Sequence, residues 1–286
     1  MEIEVKGHSG CNVEVVREGN QLFIYKSTTD PNYLNRLRLQ GEKQLQAKSR
    51  SIGHIRIPEI YSIACDELST LIKMQYVYSK NFVEYFEHAG FEQIDLFSQV
   101  MIAFIENEIE QSCNSGIPAS VIESKFEDVK KRITTNLAYR QDIVDLVLRS
   151  EKRFVSLPEM YIPIGVCHGD LTFSNLLFNG NDCYLIDFLD SFVETPLMDI
   201  VKLRQDSAYM WSKMMYKQTL DATRLEIICD YIDKKIDAHF RSKYEWYTKF
   251  YDLFQLMNML RILQYAKEEN VIDNLKKNIE GLLYEL

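Results

Sequence analysis

The stretch Cys167-His168-Gly169-Asp170-Leu171-Thr172-Phe173-Ser174-Asn175 is followed further along the chain by Ile186-Asp187-Phe188. An aspartate stands five positions before an asparagine, and a second aspartate directly precedes an aromatic residue. Phosphoryl transfer needs this order of oxygen-bearing side chains, with one carboxylate for the reacting hydroxyl and two ligands for Mg²⁺. The stretch therefore predicts a phosphoryl-transfer site built on Asp170, Asn175 and Asp187.

Each residue of this stretch has an expected role. Asp170 is placed to accept the proton of a substrate hydroxyl, or to orient that hydroxyl for in-line attack, because positioning matters more than basicity in a loose transition state. Asn175 and Asp187 are hard oxygen ligands that suit Mg²⁺. His168 is expected to brace the loop by hydrogen bonding rather than to transfer protons.

Two other interpretations of the same residues exist. In the first, the His-Gly-Asp sequence is a simple turn, Asn175 is a polar cap and Asp187 is an ordinary residue at a strand end. In the second, His168, Asp170 and Asp187 support metal-assisted hydrolysis. The second interpretation gives no role to the N-terminal features described below, and three coincidences of spacing count against the first.

Composition places the chain among ordinary globular proteins. Its 286 residues are 46% hydrophobic and 26% charged, which suits one large domain or two unequal lobes. The net charge of −9 argues against a nucleic-acid or membrane partner and suits a neutral or cationic small substrate. Six cysteines without paired spacing indicate reduced thiols, and no segment resembles a signal peptide or membrane span. We therefore expect a cytoplasmic protein.

The hydrophobic pattern changes character near residue 78. Before it, short alternating runs around the turn dipeptide Gly19-Asn20 and around Cys65-Asp66-Glu67 predict two strand pairs with one helix between them. The predicted elements are strands at 12–16, 21–27, 59–64 and 68–77 and a helix at 32–50. This part is interpreted as a small β-rich N-terminal lobe for nucleotide binding, residues 1–78.

The remainder, residues 79–286, is predicted to be a mainly helical lobe for catalysis and acceptor binding. Helical periodicity covers 91–110, 120–137 and 143–154, and it resumes at Thr195-Pro196. A hairpin around Asn179-Gly180 interrupts the helices beside the candidate site. The predicted fold class is a bilobal α+β arrangement.

Lys26 is the most informative residue of the N-terminal part. It lies on a predicted strand on the same face as Leu22 and Ile24, where a charge is costly unless it meets an anion such as a phosphate. Glu42, in the predicted helix, is expected to pair with Lys26 and to hold it toward the phosphates. Alternatively, Lys26 extends to solvent and Glu42 is a surface charge.

Two further segments are candidates for nucleotide binding. The residues Ser9, Gly10 and Asn12 precede the first hairpin and can close over phosphates through backbone groups, although a plain turn fits them equally well. The run Met74-Gln75-Tyr76-Val77 ends the last predicted strand, where backbone groups can bind adenine while Met74 covers its face. A buried strand without a ligand is the alternative.

With these motifs in place, the chain resembles the aminoglycoside phosphotransferase and choline kinase superfamily of small-molecule kinases. The resemblance is carried by Ser9-Gly10-Cys11-Asn12, by Lys26 with Glu42, and above all by the two segments quoted first. It implies a protein-kinase-like fold, the use of ATP or GTP, and Mg²⁺. It also implies that Asp199 is a buried acid that steadies the catalytic loop.

The departures from the family bear on the acceptor. The loop residues Leu171 to Ser174 differ from those of many antibiotic kinases, and the sequence Phe188-Leu189-Asp190 lacks the glycine of protein kinases. The resemblance places acceptor recognition in the helical part, where aromatic and acidic side chains can surround an ammonium group, although helix packing is the favoured explanation of the aromatic residues. The candidates for acceptor binding are Asp190, Glu194, Asp206, Tyr209 and Trp211.

The sequence therefore predicts an ATP- and Mg²⁺-dependent phosphotransferase. Its acceptor is expected to be a hydroxyl of a small molecule, namely a sugar or polyol, an amino alcohol such as choline, or an aminoglycoside-like compound. A non-catalytic nucleotide-binding protein with the same fold is the alternative. The retention of Lys26, Glu42, Asp170, Asn175 and Asp187 favours the enzyme.

Overall fold

A computed structural model describes residues 11–216 and 219–285, so that Ser9 and Gly10 of the expected nucleotide loop lie outside the described residues. The chain divides into two compact units. The first unit comprises residues 1–107, 168–191 and 220–228, and the second comprises 108–167, 192–219 and 229–286. The division at residue 78 into lobes of different function stays a prediction.

The secondary structure alternates between short strands and longer helices. The strands are β1 (Asn12–Glu18), β2 (Gln21–Thr28), β3 (Ile55–Arg56), β4 (Ile60–Cys65), β5 (Thr70–Gln75), β6 (Cys113–Ile117), β7 (Met160–Ile164), β8 (Leu176–Asn179) and β9 (Asp182–Leu185). The helices are α1 (Leu34–Ala47), α2 (Phe82–His88), α3 (Phe91–Gln111), α4 (Ala119–Asn136), α5 (Gln141–Glu151), α6 (Pro196–Ser207), α7 (Trp211–Met215), α8 (Ala222–Lys243), α9 (Glu245–Leu263) and α10 (Glu269–Glu285). Two 3₁₀ turns span Lys48–Arg50 and Phe173–Asn175.

An antiparallel sheet of four strands in the order β1-β2-β5-β4 forms the β-rich part of the first unit. Gly19 has a φ of 61°, which a turn between β1 and β2 requires and a glycine adopts without strain. Between β4 and β5, the Asp66 carboxylate accepts the backbone N–H groups of Leu68 and Ser69 at 2.8 and 2.7 Å. Local turn chemistry therefore sets both hairpins.

Helix α1 packs on this sheet over a core of Leu37, Ile60, Ile72 and Met74. Gly41 lies on the packed side of α1, where a Cβ atom would be 2.8 Å from the Ile72 Cδ1 atom. The glycine that weakens the helical propensity of this segment is therefore also what allows the helix to approach the sheet.

A second, smaller sheet carries the candidate site. Strand β9 pairs in parallel with β3 and antiparallel with β8, and Gly180 makes the β8–β9 turn with a φ of 60°. Helix α2 begins with a capping box between Asn81 and Glu84. The ring of Tyr85 on α2 stacks on Phe178 of β8 with the ring centroids 4.1 Å apart. Aromatic packing thus fixes this hairpin to α2.

The second unit is mainly helical. Helix α9 is buried along most of its length and packs against α6, α10, α4 and β7. Strands β6 and β7 form a two-stranded antiparallel sheet. Thr195 caps the N-terminus of helix α6, because its hydroxyl accepts the Leu197 N–H, and Pro196 is the first helical residue. Within the described residues, no helix combines the length and apolar character needed to cross a membrane.

The predicted fold class, α+β with a small β-rich N-terminal part and a larger helical part, is confirmed. All four predicted N-terminal strands and the Asn179-Gly180 hairpin are present, with ends shifted by a few residues. Strand β6 was not predicted, because Asn114, Ser115 and Gly116 have low strand propensity and the strand depends on pairing with β7.

The close approach at Gly41 yields a test of stability. We expect Gly41→Val to lower the free energy of unfolding by about 1–3 kcal/mol, because the added methyl groups would overlap Ile72 and Ile63. The matched control is Gly281→Ala in α10, where a Cβ would meet nothing within 4 Å. That variant should gain roughly 0.5–1 kcal/mol. Urea denaturation measures both, and equal effects of the two changes would contradict the packing argument.

Candidate functional site

The catalytic-loop candidate and the segment after Asp187 are joined by a close backbone approach. Gly169 has a φ of 90°, and a Cβ atom on it would lie 1.8 Å from the Leu189 carbonyl oxygen. The Leu189 N–H donates to the His168 carbonyl oxygen at 3.0 Å. Only glycine fits at this position, because any other side chain would displace the backbone of the neighbouring segment.

His168 is fully buried and uses both ring nitrogens. Its Nε2 donates to the Ile186 carbonyl oxygen at 3.0 Å, and its Nδ1 accepts the Asp170 backbone N–H at 3.2 Å. Burial lowers the pKa of His168 to about 3, with Lys43 and Arg50 acting in the same direction and Asp170 opposing them. A neutral imidazole therefore ties the loop to the end of β9, in a geometry that serves as a brace.

Asp170 and Asn175 are connected within the loop. The Asn175 Nδ2 donates to the Asp170 carbonyl oxygen at 2.8 Å and to the Asp170 Oδ2 at 3.0 Å. These bonds fix the orientation of the Asp170 carboxylate. They also leave the amide oxygen of Asn175 as the atom able to bind a metal ion.

Phe173 anchors the same loop from inside, a role that the motif of oxygen-bearing side chains does not indicate. Its ring is 1% exposed and lies 5.9, 5.4 and 6.0 Å, centroid to centroid, from Phe82, Phe86 and Phe97. Burial of an aromatic ring in such a cluster is a large stabilising contribution. The aromatic residue between Asp170 and Asn175 is the sequence signal for this anchor.

Asp187 contacts Lys26 directly. Its Oδ1 accepts from the Lys26 Nζ at 2.9 Å, and its backbone has a φ of 62°. A non-glycine residue in this region is strained, and such strain is concentrated at functional sites. Burial disfavours the charge on Lys26, but Asp187 outweighs it, so the pKa of Lys26 is raised above its ordinary value. Lys26 is therefore cationic in the fold.

The helix partner of Lys26 differs from the predicted one. The Gln40 Oε1 accepts from Lys26 at 3.2 Å, whereas Glu42 pairs with Arg38 one turn earlier on α1. Gln40 lies on the buried side of α1, and the Glu42 side chain is 40% exposed. The expected contact between Lys26 and Glu42 is thus replaced by a contact with a neutral amide.

Lys43, which follows Glu42, is a site residue that sequence reasoning missed. Its Nζ donates to the Leu189 carbonyl oxygen at 2.6 Å and lies 3.3 Å from the position of a Cβ on Gly169. Helix α1 therefore holds the segment after Asp187 next to the catalytic loop. No sequence motif signals this contact, because it depends on how α1 packs.

The candidate adenine-binding segment lies at the end of β5. Met74 is buried in the core beneath α1, and the Gln75 side chain accepts the Glu59 backbone N–H at 3.2 Å. The N–H groups of Tyr76 and Val77 make no hydrogen bond within the described part of the chain. Both remain available to a ligand. Asn12, the described residue of the nucleotide loop, begins β1 opposite Ser27.

The chemistry of the candidate ligands suits a magnesium ion bound together with phosphates. Asn175 and Asp187 offer one amide oxygen and one carboxylate. Among the described residues, no group of three or more histidine, cysteine, aspartate or glutamate side chains could hold a metal alone. Magnesium typically uses one or two carboxylates, with substrate phosphates and water completing its shell. The donor set therefore fits Mg²⁺ only in company with a nucleotide.

The acceptor candidates are distributed over both units. Asp190 is exposed in the first unit, and the other four lie in the second unit. Glu194 accepts from the Cys167 thiol at 3.2 Å, and the buried Asp206 accepts the Ser212 N–H at 2.6 Å. Of the remaining pair, Tyr209 lines an open pocket, whereas Trp211 is half-buried at the start of α7.

Asp199 is fully buried in the first turn of α6, as expected of a structural acid. An acid in this turn interacts favourably with the helix dipole. Its action on the catalytic loop stays a prediction. The Asp206 carboxylate accepts the Ser212 N–H. The cage of Asp206 with Tyr209 and Trp211 stays a prediction.

The buried state of His168 predicts a pH dependence of stability. Its pKa is about 3 in the folded chain and roughly 6.5 when unfolded, so the unfolded state binds more protons between these values. Stability should therefore fall as the pH is lowered from 7, by roughly 2 kcal/mol at pH 5. The measurement is urea denaturation of wild type and His168→Gln across this range.

His88→Gln, at an exposed histidine, is the matched control and should keep the wild-type slope of stability against pH. His168→Gln should show a shallower slope, whatever its stability at pH 7. A slope equal to that of the wild type would show that His168 is not the buried neutral group described above.

Comparison with known proteins agrees with the interpretation of these residues as a phosphoryl-transfer site. The model of a family described as "Phosphotransferase enzyme family" matches residues 128–228, which include the whole candidate catalytic loop and Asp187. A search of curated protein sequences finds no significant match. Together with the folds below, the family match supports a small-molecule phosphotransferase.

Solved structures share the fold at low sequence identity. The GDP and kanamycin complex of APH(2″)-IIIa has a TM-score of 0.64 and 15% identity, covering 100% of this chain and 93% of that chain. An amicoumacin kinase in complex with AMP-PNP and Ca²⁺ has a TM-score of 0.61 and 10% identity, covering 98% and 88%. A spectinomycin phosphotransferase in complex with ADP and spectinomycin has a TM-score of 0.54 and 12% identity, covering 99% and 91%. The predicted resemblance to the aminoglycoside phosphotransferase and choline kinase superfamily is thereby confirmed.

Proposed function

We propose that the protein transfers the γ-phosphate of ATP, with Mg²⁺, to a hydroxyl group of a small molecule. One observation carries this proposal. The first unit brings a buried lysine into contact with Asp187 and also bonds Asn175 to the Asp170 carboxylate. A phosphate-binding cation, two metal ligands and a base are the parts that phosphoryl transfer requires.

In this proposal Asp170 receives or orients the acceptor hydroxyl. The hydrogen bond from Asn175 and the backbone bond to His168 hold its carboxylate and its main chain in place. Such pre-organisation is the main contribution that a protein makes to a loose phosphoryl-transfer reaction. Because His168 is neutral and fully bonded, it positions Asp170 and does not exchange a proton with substrate.

Asn175 and Asp187 would hold Mg²⁺, which when bound would offset the negative charge of the phosphates. Lys26 would bind the phosphates as a cation that the strand keeps buried and charged. Its present partner Asp187 is also a metal ligand in this proposal. On binding, Lys26 would contact the phosphates and Asp187 would contact the metal ion in place of their mutual ion pair.

Nucleotide binding is supported by the segment after β5. The free N–H groups of Tyr76 and Val77 suit the hydrogen-bond acceptors of a purine ring. Structures of the same fold contain GDP, AMP-PNP or ADP, which supports a nucleotide here without deciding between adenine and guanine. A sugar or polyol, an amino alcohol or an aminoglycoside-like compound remains the proposed acceptor class.

The role of Asp170 can be tested once the acceptor is known. To find the acceptor, the protein is incubated with Mg-ATP and a metabolite library. Mass spectrometry then identifies the compound that gains a phosphate. We expect Asp170→Asn to lower the transfer rate about 10²- to 10⁴-fold, because the base is lost. Nucleotide affinity should change little, since Asp170 is not a phosphate or metal ligand here. Transfer at the wild-type rate would overturn the assignment.

The role of Asp187 predicts a separate effect on metal dependence. ATP should raise the melting temperature of the wild type more in the presence of Mg²⁺ than in its absence. Asp187→Asn should lose most of this difference, because a carboxylate ligand becomes a weaker amide ligand. Asp182→Asn, at an aspartate of β9 outside the proposed site, is the control and should retain it. If Mg²⁺ increased the ATP-induced rise in melting temperature as much in Asp187→Asn as in the wild type, Asp187 would be excluded as a metal ligand.

A further inference from the structure

The residues on both sides of Asp187 are fixed by main-chain hydrogen bonds within the first unit. Ile186 donates its N–H to the Asn175 carbonyl oxygen at 3.1 Å, and its own carbonyl oxygen accepts from His168 Nε2 at 3.0 Å. The Leu189 N–H donates to the His168 carbonyl oxygen, also at 3.0 Å. The main chain is thus tied to the candidate catalytic loop just before and just after Asp187.

Phe188, between these ties, is held through its side chain. Its ring is fully buried and contacts the imidazole of His168, with the ring centroids 4.1 Å apart and the planes inclined by 35°. The guanidinium carbon of Arg50 lies 5.4 Å from the centroid of the same ring. The residue directly after Asp187 is therefore in contact with a neutral imidazole and with a cation.

Arg50 comes from the last position of the 3₁₀ turn that follows α1. A cation within about 6 Å of an aromatic centroid is attracted by the ring, more strongly when both groups are removed from water. Arg50 is 8% exposed and Phe188 is fully buried, so this contact belongs to the stronger kind. Arg50 also helps to lower the pKa of His168, which places its charge near the candidate catalytic loop as well.

The conformation of Asp187 requires such support. Its φ of 62° is unfavourable for a non-glycine residue and persists only where the surroundings impose it. The Asp187 side chain bonds to Lys26, and under the proposed function both groups exchange this contact for ligands. The contacts of Ile186, Phe188 and Leu189 do not involve the Asp187 carboxylate. They can therefore keep the backbone in place while the carboxylate changes its partner.

We propose that Arg50 is a positioning residue for metal binding, which holds the ring of Phe188 and thereby keeps the Asp187 carboxylate in place for Mg²⁺. The inference rests on the proposed function, in which Asp187 is a metal ligand. Arg50 acts in it through Phe188 and touches neither the metal ion nor the nucleotide.

Arg50 and Lys43 support the same segment in different ways. Lys43 donates to the main-chain carbonyl oxygen of Leu189 at 2.6 Å, so its contact is indifferent to which side chains the segment carries. The contact of Arg50 depends on an aromatic ring at position 188. The role of Arg50 can therefore be tested from both partners, by removing the cation or by removing the ring.

The measurement is the dissociation constant of ATP for the full chain, obtained by isothermal titration calorimetry with Mg²⁺ and with excess EDTA. The metal-free constant divided by the constant with Mg²⁺ is defined as the metal enhancement. Arg50→Met keeps a long apolar side chain and removes the cation. We expect it to lower the metal enhancement about three- to tenfold, in line with the strength of a buried cation–π contact. The metal-free constant should stay close to that of the wild type.

The matched control is Arg36→Met on α1. The guanidinium carbon of Arg36 lies 5.2 Å from the ring centroid of Tyr33, so the same chemical change removes a cation–π contact elsewhere on the same helix. This variant should keep the wild-type metal enhancement. Arg50→Lys keeps a cation and should retain more of the enhancement than Arg50→Met does. Equal losses in Arg50→Met and Arg36→Met would overturn the proposal.

Phe188→Leu provides a second, independent variant, because it removes the ring but keeps an apolar side chain in the core. It should lower the metal enhancement as Arg50→Met does. The double variant should lose little more than either single variant, since both changes break one contact. Two losses that simply add would show that Arg50 and Phe188 act separately, and they would contradict the proposal.

The melting temperature without ligand separates positioning from a purely structural role. A lower melting temperature of Arg50→Met with an unchanged metal enhancement would overturn the role of Arg50. An enhancement lost in Asp187→Asn but retained in Arg50→Met would also overturn it and would leave the proposed function standing. Wild-type ATP affinity that does not respond to Mg²⁺ would contradict the proposed function itself, and the inference with it.

Discussion

A lysine ammonium buried in strand β2 is the constraint on which the first unit depends. Lys26 is 5% exposed, and an isolated buried charge of this kind costs several kcal/mol. Its anionic partner, Asp187, comes from a segment 161 residues further along the chain. The N-terminal sheet and the segment after β9 therefore have to meet for Lys26 to be accommodated. The same contact places a cation beside a candidate metal ligand.

The segment that supplies Asp187 is itself held in an unfavourable conformation. Asp187 has a positive φ, and Leu189 approaches Gly169 so closely that no other residue fits there. These costs are offset by the bonds of His168 and by the contact of Lys43 with Leu189. Strain that persists under such constraint is typical of functional sites. The arrangement orients Asp170 and Asp187 before any ligand binds.

Features encoded by neighbouring residues could be predicted from the sequence. The turns at Gly19-Asn20 and Asn179-Gly180 and the spacing of Asp170, Asn175 and Asp187 are all short-range patterns. Features that depend on packing could not be predicted. The choice of Gln40 over Glu42 as the partner of Lys26 depends on which side of α1 meets the sheet, and strand β6 depends on β7.

The difference between short-range patterns and packing-dependent features also applies to the second unit, where residues of three helices line a pocket. Asp237 and Asp252 lie on different helices, and nothing in their local sequences marks either as special. Their difference appears only when hydrogen-bond partners are known, because one carboxylate is saturated by Arg204 and Arg241 and the other has none. Sequence spacing identifies chemistry built on one loop, and it has little power for a pocket assembled from three helices.

Gln40 changes the electrostatics of the first unit in a way that a carboxylate at its position would not. An amide helps to orient Lys26 but supplies no charge, so among the described residues Asp187 is the acid that neutralises the ammonium group. Under the proposed function, a metal ion bound to Asp187 would draw away the only anion that contacts Lys26 in the described structure. Phosphate oxygens would have to replace that anion, because a buried lysine left without a partner is unfavourable. Metal and nucleotide would therefore be expected to bind together more readily than either would alone.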